Sequence, residues 1–171
     1  MIALYVLICL VGVVALLDLV LTVGVIRRLR EHTQMFSEMT DSGEVMAEAG
    51  SEIAAFDAIA TDGGRVENPK LIGVFSPGCP ACEERMPLFV DRAAGHDRAS
   101  VLAVIAGADD AAAQYRSRLE PVARVVVEQP GGTVTTALQV KGFPAFAVLD
   151  GSLVVASGTN LDALDAALIR V

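Results

Sequence analysis

The chain has 171 residues, is 53% hydrophobic and carries a formal net charge of −8. That length suits one domain with an appendage. With Asp18 and the arginines at 27, 28 and 30 set aside, ten Lys and Arg stand against twenty Asp and Glu, a balance that argues against nucleic acid as a partner.

The first element is the apolar run MIALYVLICLVGVVALLDLVLTVGVI, Met1–Ile26, whose single charge is Asp18. As a helix it would extend roughly 37 Å, enough to cross a hydrocarbon core of about 30 Å with some tilt. A cleaved signal peptide would have a basic start, a shorter apolar core and a small-residue cleavage site. No Lys or Arg precedes Arg27 here, so residues 1–26 read as a retained single-pass anchor. Asp18 is costly in lipid and is a candidate contact for a membrane redox partner, whereas Cys9 has no second thiol near it in sequence. Arg27, Arg28 and Arg30 follow the span directly, and the positive-inside bias puts the C-terminal side in the cytoplasm. Residues 27–50 read as a juxtamembrane helix, RRLREHTQMFSEMT, running into a linker with two glycines and four acids, DSGEVMAEAGSE. The folded domain is expected over 51–171.

IAAFDAIATDGGRVE predicts a short hairpin turning at Asp62-Gly63-Gly64. KLIGVFS is a continuous apolar run, as in a strand covered on both faces. CPACEERMPLFVDRAAG predicts a helix ending near Gly95, and SVLAVIAG a second buried strand. DDAAAQYRSRLE is a helix with acids in its first turn and Pro121 as its stop. VARVVVE is a third buried strand, and GGTVTTALQVKG a short helix ending at Gly142. PAFAVLDGSLVVASG is a hairpin turning at Asp150-Gly151. NLDALDAALIRV predicts a closing helix capped by Asn160. The order β-β-β-α-β-α-β-α-β-β-α implies an α/β domain with a mixed sheet and helices on both faces.

Chemistry concentrates in FSPGCPACEERMP, residues 75–87, which holds two of the three cysteines. Cys79 falls where a strand gives way to a helix, and Pro80 takes the first helical position, where a missing N–H costs nothing. Free backbone N–H groups and the helix dipole stabilise a thiolate there. Cys82 lies one turn on, on the same face, near enough to close a disulfide. Cys79 would then be the exposed nucleophile and Cys82 the resolving thiol. Structural zinc normally needs four ligands, and the sequence offers no second cysteine pair; its two histidines are His32, beside the anchor, and His96, at the far end of the helix. An inert pair of buried thiols is the plainer alternative, although the surrounding glycine and prolines suit an exposed turn better than a core.

These residues resemble the thioredoxin superfamily, and its membrane-anchored TlpA-like branch in particular, over roughly Ser51–Val171. GSEIAAFDAIATDGGRV is similar to the family's N-terminal hairpin, and CPAC follows the first central strand. Pro87 lies five residues past Cys82, where the family's active-site helix is kinked. KGFPAFAVLDG matches the segment that carries the family's cis-proline. The resemblance implies a thioredoxin-like fold and a thiol–disulfide oxidoreductase acting on protein thiols or disulfides, with no organic cofactor and no metal. It implies that Pro144 is the cis-proline, that its loop faces the disulfide, and that the Phe143 backbone pairs with an incoming peptide. Anchored relatives mostly work outside the cytoplasm, where disulfides persist; the arginine flank points inward and is given slightly more weight.

The sequence departs from the family at several positions. It has no tryptophan, and Ser76-Pro77-Gly78 precedes the first cysteine. Gly73 stands where relatives carry a buried acid, Arg85 where others place a glutamate, and Phe143 in place of a small or β-branched residue. Glu83 and Glu84 are candidates to relay the Cys82 proton, or else solvated first-turn acids. Acids raise the thiol pKa and Arg85 lowers it, so the direction of electron flow stays open. A peroxiredoxin-like thiol peroxidase is the alternative, with Ser76 placed to hydrogen-bond peroxide at Cys79 and Arg116 or Arg124 as the guanidinium. A copper metallochaperone would need a distant histidine, and none follows His96.

Overall fold

In a computed structural model the described residues are 45–170, with 10 and 12 as isolated positions. The chain divides into two units, Met1–Ser42 and Gly43–Val171. The anchor expected over 1–26 and most of the stretch 27–50 lie outside the described residues. Among the described residues no helix is long and apolar enough to cross a membrane.

The second unit is built on β1, Leu71–Phe75, in which every residue is buried. It pairs in parallel with β2, Val101–Ala106, which pairs in parallel with β3, Arg124–Glu128. On its other side β1 runs antiparallel to β4, Ala145–Asp150, which turns at Gly151 into β5, Leu153–Gly158. The sheet order is β3-β2-β1-β4-β5.

Successive strand side chains point to opposite faces, so β1 feeds two cores. Leu71 and Phe75 enter one with Met86 and Phe89 of α1 (Pro80–Ala93), Tyr115 and Leu119 of α2 (Asp109–Leu119), and Ala167 of α4 (Asp165–Leu168). Ile72 and Val74 enter the other with Val134 of α3 (Thr133–Ala137), Leu138 and the N-terminal segment. Helices thus cover both faces, and the expected mixed α/β order holds from β1 onward.

Three expectations differ from what is observed. Val45, Met46 and Ala47 are buried rather than part of a linker. The Ala47 N–H donates to the Leu138 carbonyl at 2.9 Å, and the Lys141 N–H to the Val45 carbonyl at 2.7 Å. Three apolar residues among acids suffice when a neighbouring helix end offers free backbone groups. Second, the N-terminal hairpin is reduced to a bridge between Ile59 and Arg65, closed by the Ala60 N–H on the Gly64 carbonyl at 2.8 Å. The chain before it lies against β5 instead, with the Ile53 N–H on the Ser152 carbonyl and the Val154 N–H on the Ser51 carbonyl, both 2.9 Å. Third, the closing helix is a 3₁₀ turn, Asp162–Leu164, followed by the short α4. Its buried residues Leu161, Leu164 and Ala167 recur every third position, the period of a 3₁₀ turn. The cap position is Leu161 and not the expected Asn160, although Asn160 Oδ1 accepts the Asp162 N–H at 3.1 Å.

Candidate active site

The loop leaving β1 is set by SPGC. The Cys79 N–H donates to the Ser76 carbonyl at 3.3 Å, closing a four-residue turn. Pro77 occupies the second position and Gly78, with φ +78°, the third; this is the pattern of a type II turn, which requires a left-handed residue there. Gly107, at the end of β2, makes room for the loop: a Cβ on it would lie 2.8 Å from Pro77 Cδ. The turn delivers Cys79 to the N-cap of α1 in extended backbone, φ −88° and ψ 111°, with Pro80 at the first helical position.

The cap is made by sulfur. Cys79 Sγ accepts the Cys82 N–H at 3.2 Å, as an N-cap side chain does for the orphan amides of a first turn. Cys79 is partly exposed, whereas Cys82 is fully buried. Cys82, Met86, Phe89 and Ala93 form the buried face of α1, at the spacing of one helical stripe. The two cysteines therefore share a face with only the first at the surface. Pro87 lies inside α1 on its exposed side.

The other wall is the segment before β4. The Phe143–Pro144 peptide is cis, Pro144 is buried and Phe143 is half-buried. The Cys79 S–H donates to the Phe143 carbonyl at 3.7 Å. Ser76, Cys79, Cys82, Phe143 and Pro144 are thus brought together from the ends of β1 and β4, which pair directly.

The environment separates the two thiols. Cys79 is lowered to about 7, first by the hydrogen bond from the Cys82 thiol and then by the Cys82 and Ala81 amides, against burial and the Glu83 carboxylate. Cys82 is pushed up, first because its proton is shared with Cys79 and second because it is buried. The Ser76 amide works the other way and favours its thiolate. The first cysteine is thus the readily ionised one.

The candidate auxiliary groups fall differently. Glu83 is exposed and pairs with Arg118 of α2 at 3.2 Å. The Arg85 guanidinium reaches Asn160 Oδ1 at 3.5 Å, toward the C-terminal turn. The place of a buried acid at Gly73 is filled by an aromatic ring, since a Cβ there would lie 2.6 Å from Phe89 Cε2. Phe89 stacks on Phe146 at 5.9 Å and meets Phe75 edge-on at 5.4 Å. The peroxidase arrangement is not assembled. The Ser76 hydroxyl donates to the Ala106 carbonyl at 3.2 Å, Arg116 pairs with Glu120 at 3.1 Å and Arg124 with Asp62 at 3.5 Å.

Tyr115 is the residue that sequence reasoning missed. It is 3% exposed, and its hydroxyl donates to the Ser76 carbonyl at 3.3 Å. Its spacing with Ala112 and Leu119 reads as core on a helix, and nothing local ties it to a loop 39 residues earlier.

No protein-family model matches the chain, and no curated protein matches it. Solved structures do. A thio-disulfide isomerase from Thermus thermophilus is 20% identical, with a TM-score of 0.55 over 72% of this chain and 96% of that one. A secreted disulfide oxidoreductase from Mycobacterium tuberculosis is 17% identical, with a TM-score of 0.53 over 68% of this chain and 96% of that one. The thioredoxin domain of a thiol-disulfide oxidoreductase from Bacteroides vulgatus is 20% identical, with a TM-score of 0.55 over 72% and 97%. At these identities the likeness establishes a thioredoxin-like fold.

Proposed function

We propose that the protein is a membrane-tethered thiol–disulfide oxidoreductase in which Cys79 and Cys82 exchange electrons with disulfides of partner proteins. The observation that carries this reading is the sulfur N-cap. A partly exposed Cys79, held at about 7 by the Cys82 thiol and amide, sits one turn from a fully buried Cys82.

The chemistry follows from that asymmetry. The Cys79 thiolate attacks one sulfur of a substrate disulfide; the substrate S–S bond breaks, a Cys79–substrate mixed disulfide forms, and the other substrate sulfur leaves and takes up a proton. Cys82 then loses its proton and attacks Cys79 Sγ, releasing the second substrate thiol. The substrate has gained two electrons, and the Cys79–Cys82 disulfide is reset by an external dithiol donor. When substrate displaces the Cys79–Phe143 hydrogen bond, the Phe143 backbone is freed to pair with the incoming peptide. A leaving thiol of about 7 makes a far less oxidising disulfide than one near 3.5, which favours operation as a reductant. The apolar span 1–26 supports tethering, with Asp18 as a contact for a membrane donor, and Arg27, Arg28 and Arg30 favour a cytoplasmic domain.

Expression of a Cys82→Ser variant in membranes, followed by alkylation and non-reducing electrophoresis, tests the reading. Discrete adducts through Cys79 that disappear with reductant are expected. Their absence, in a folded protein with a free Cys79, would contradict it. A reporter fused to Val171 that fluoresces only in the cytoplasm tests the side; a dark but expressed fusion would reverse that assignment.

A further inference from the structure

The backbone of Ser76 touches both halves of the redox pair. Its N–H is directed at Cys82 Sγ, and its carbonyl accepts the Cys79 N–H at 3.3 Å. The two groups lie in adjoining peptide planes, and it is the carbonyl that fixes the turn presenting Cys79. Its orientation is held from outside the loop. The Ser76 hydroxyl donates to the Ala106 carbonyl at 3.2 Å, and the Tyr115 hydroxyl donates to the Ser76 carbonyl at 3.3 Å. The Tyr115 ring is itself fixed, buried on α2 with Phe75 at 6.5 Å.

We propose that Tyr115 is a positioning residue of the redox site: its hydroxyl, by holding the Ser76 carbonyl that also accepts the Cys79 N–H, sets the turn that presents Cys79 at the N-cap and so tunes the ionisation and redox poise of the pair. It touches no reacting atom and acts through Ser76. The charged groups around the hydroxyl are Glu83 of α1, which also draws on it, Arg118 of α2, which pairs with Glu83, and the two cysteines. Burial and the Glu83 carboxylate raise the phenol pKa, so it remains a donor across the working range of the thiols. This inference rests on the proposed redox function and assigns that site a residue from an element that supplies no cysteine.

The test uses the full chain with Cys9 replaced by serine. Tyr115→Phe keeps the ring and removes the donor. Without it the Ser76 peptide is freer, and the thiolate of Cys79 is less well held. The midpoint of iodoacetamide alkylation is expected to rise by about half a pH unit. The equilibrium with glutathione should shift about threefold toward the disulfide, ~14 mV. Site-specific 3-fluorotyrosine at position 115, a stronger donor of the same shape, should move both readouts the other way, and it covers the case in which Tyr115→Phe fails to fold. A lowered melting temperature with both readouts unmoved would make Tyr115 merely structural and overturn the inference, as would shifts of the same sign in the two variants. A wild-type chain whose Cys79 titrates as an ordinary cysteine and does not exchange with glutathione would take down the redox reading and this inference together. A null result in Tyr115→Phe with a competent wild type takes down only the inference.

Discussion

Replacing Cys82 isolates the largest influence on Cys79. The thiol hydrogen bond from Cys82 is the leading cause of the lowered value of about 7, ahead of the two amide donors. Cys82→Ala removes that donor and leaves the backbone amides of Cys82 and Ala81 where α1 holds them, so the midpoint should rise only part of the way to the ordinary value of about 8.5. A rise of about one unit is expected, equivalent to ~1.4 kcal/mol of lost thiolate stabilisation. At pH 7 the thiolate fraction then falls from about one half to roughly one tenth. A more basic thiolate is also the better nucleophile, by about threefold per unit, so the alkylation rate at pH 7 should drop only about twofold. Above pH 9, where Cys79 is ionised in both proteins, the variant should react about threefold faster than wild type. This crossing of rate profiles is the signature to look for. Cys82→Ser, which keeps a hydroxyl donor at that position, should raise the midpoint less than Cys82→Ala does. The assay is iodoacetamide alkylation from pH 5 to 10, followed by mass spectrometry in a Cys9→Ser background; Cys82 is buried and does not contribute the fast phase. A midpoint that stays put or falls on removal of Cys82 would refute the assignment of Cys82 as the donor that ionises Cys79.

The reduced protein should be most stable at about pH 8.5. Cys79 titrates at about 7 in the fold and at about 8.5 unfolded, so its contribution is fully present above about 8.5 and is lost as pH falls through 7. Cys82 is shifted upward in the fold; above about 8.5 it ionises only on unfolding, which favours the unfolded chain. The two signs give a maximum about 1–2 kcal/mol above the acid side. It should be visible as the difference in urea midpoint between reduced wild type and a Cys79→Ser/Cys82→Ser variant, and a flat difference would contradict it. Gly73→Ala should cost about 1–3 kcal/mol by overpacking, because the added carbon would lie 2.6 Å from the Phe89 ring. Pairing it with Phe89→Leu should recover part of the loss, and additive melting-temperature losses would rule out that contact as the cause. Arg92 ties α1 to the C-terminal turn, bonding Asp165 at 2.6 and 3.0 Å and also Asp162. With its side chain 20% exposed against partners that are 49% (Asp165) and 72% (Asp162) exposed, Arg92→Ala should cost about 1 kcal/mol, and an unchanged denaturation midpoint would show the contacts to be solvated.

Much of the site was legible because its signals are local. A buried strand running into Cys79, proline at the first helical position and a second cysteine one turn on are all read within a dozen residues. Pro144 was legible through the motif around it. The groups that finish the site come from farther away. Tyr115 looks like any core residue of α2 until the fold brings its hydroxyl to Ser76. Arg85 sits near the thiols in sequence but is drawn to Asn160, and Ser76 spends its hydroxyl on Ala106 rather than on Cys79. At the N-terminal side, the acids and glycines around Val45–Ala47 masked three residues whose burial depends on the free backbone groups at the end of α3. The 53–67 stretch carried the turn and the short pairing next to it, Ile59 with Arg65, but not the contact of the preceding chain with the edge of β5.

The chemistry of the pair turns on which sulfur attacks. Reduced Cys82→Ser and Cys79→Ser variants of the full chain, each with Cys9 replaced, can be mixed with a disulfide-bridged peptide, quenched with acid over time and weighed intact. Rapid formation of a one-to-one mixed disulfide by Cys82→Ser, located at Cys79, with no adduct on Cys79→Ser, is the expected result. Equal adduct formation by the two variants, or attachment at Cys82 alone, would contradict it.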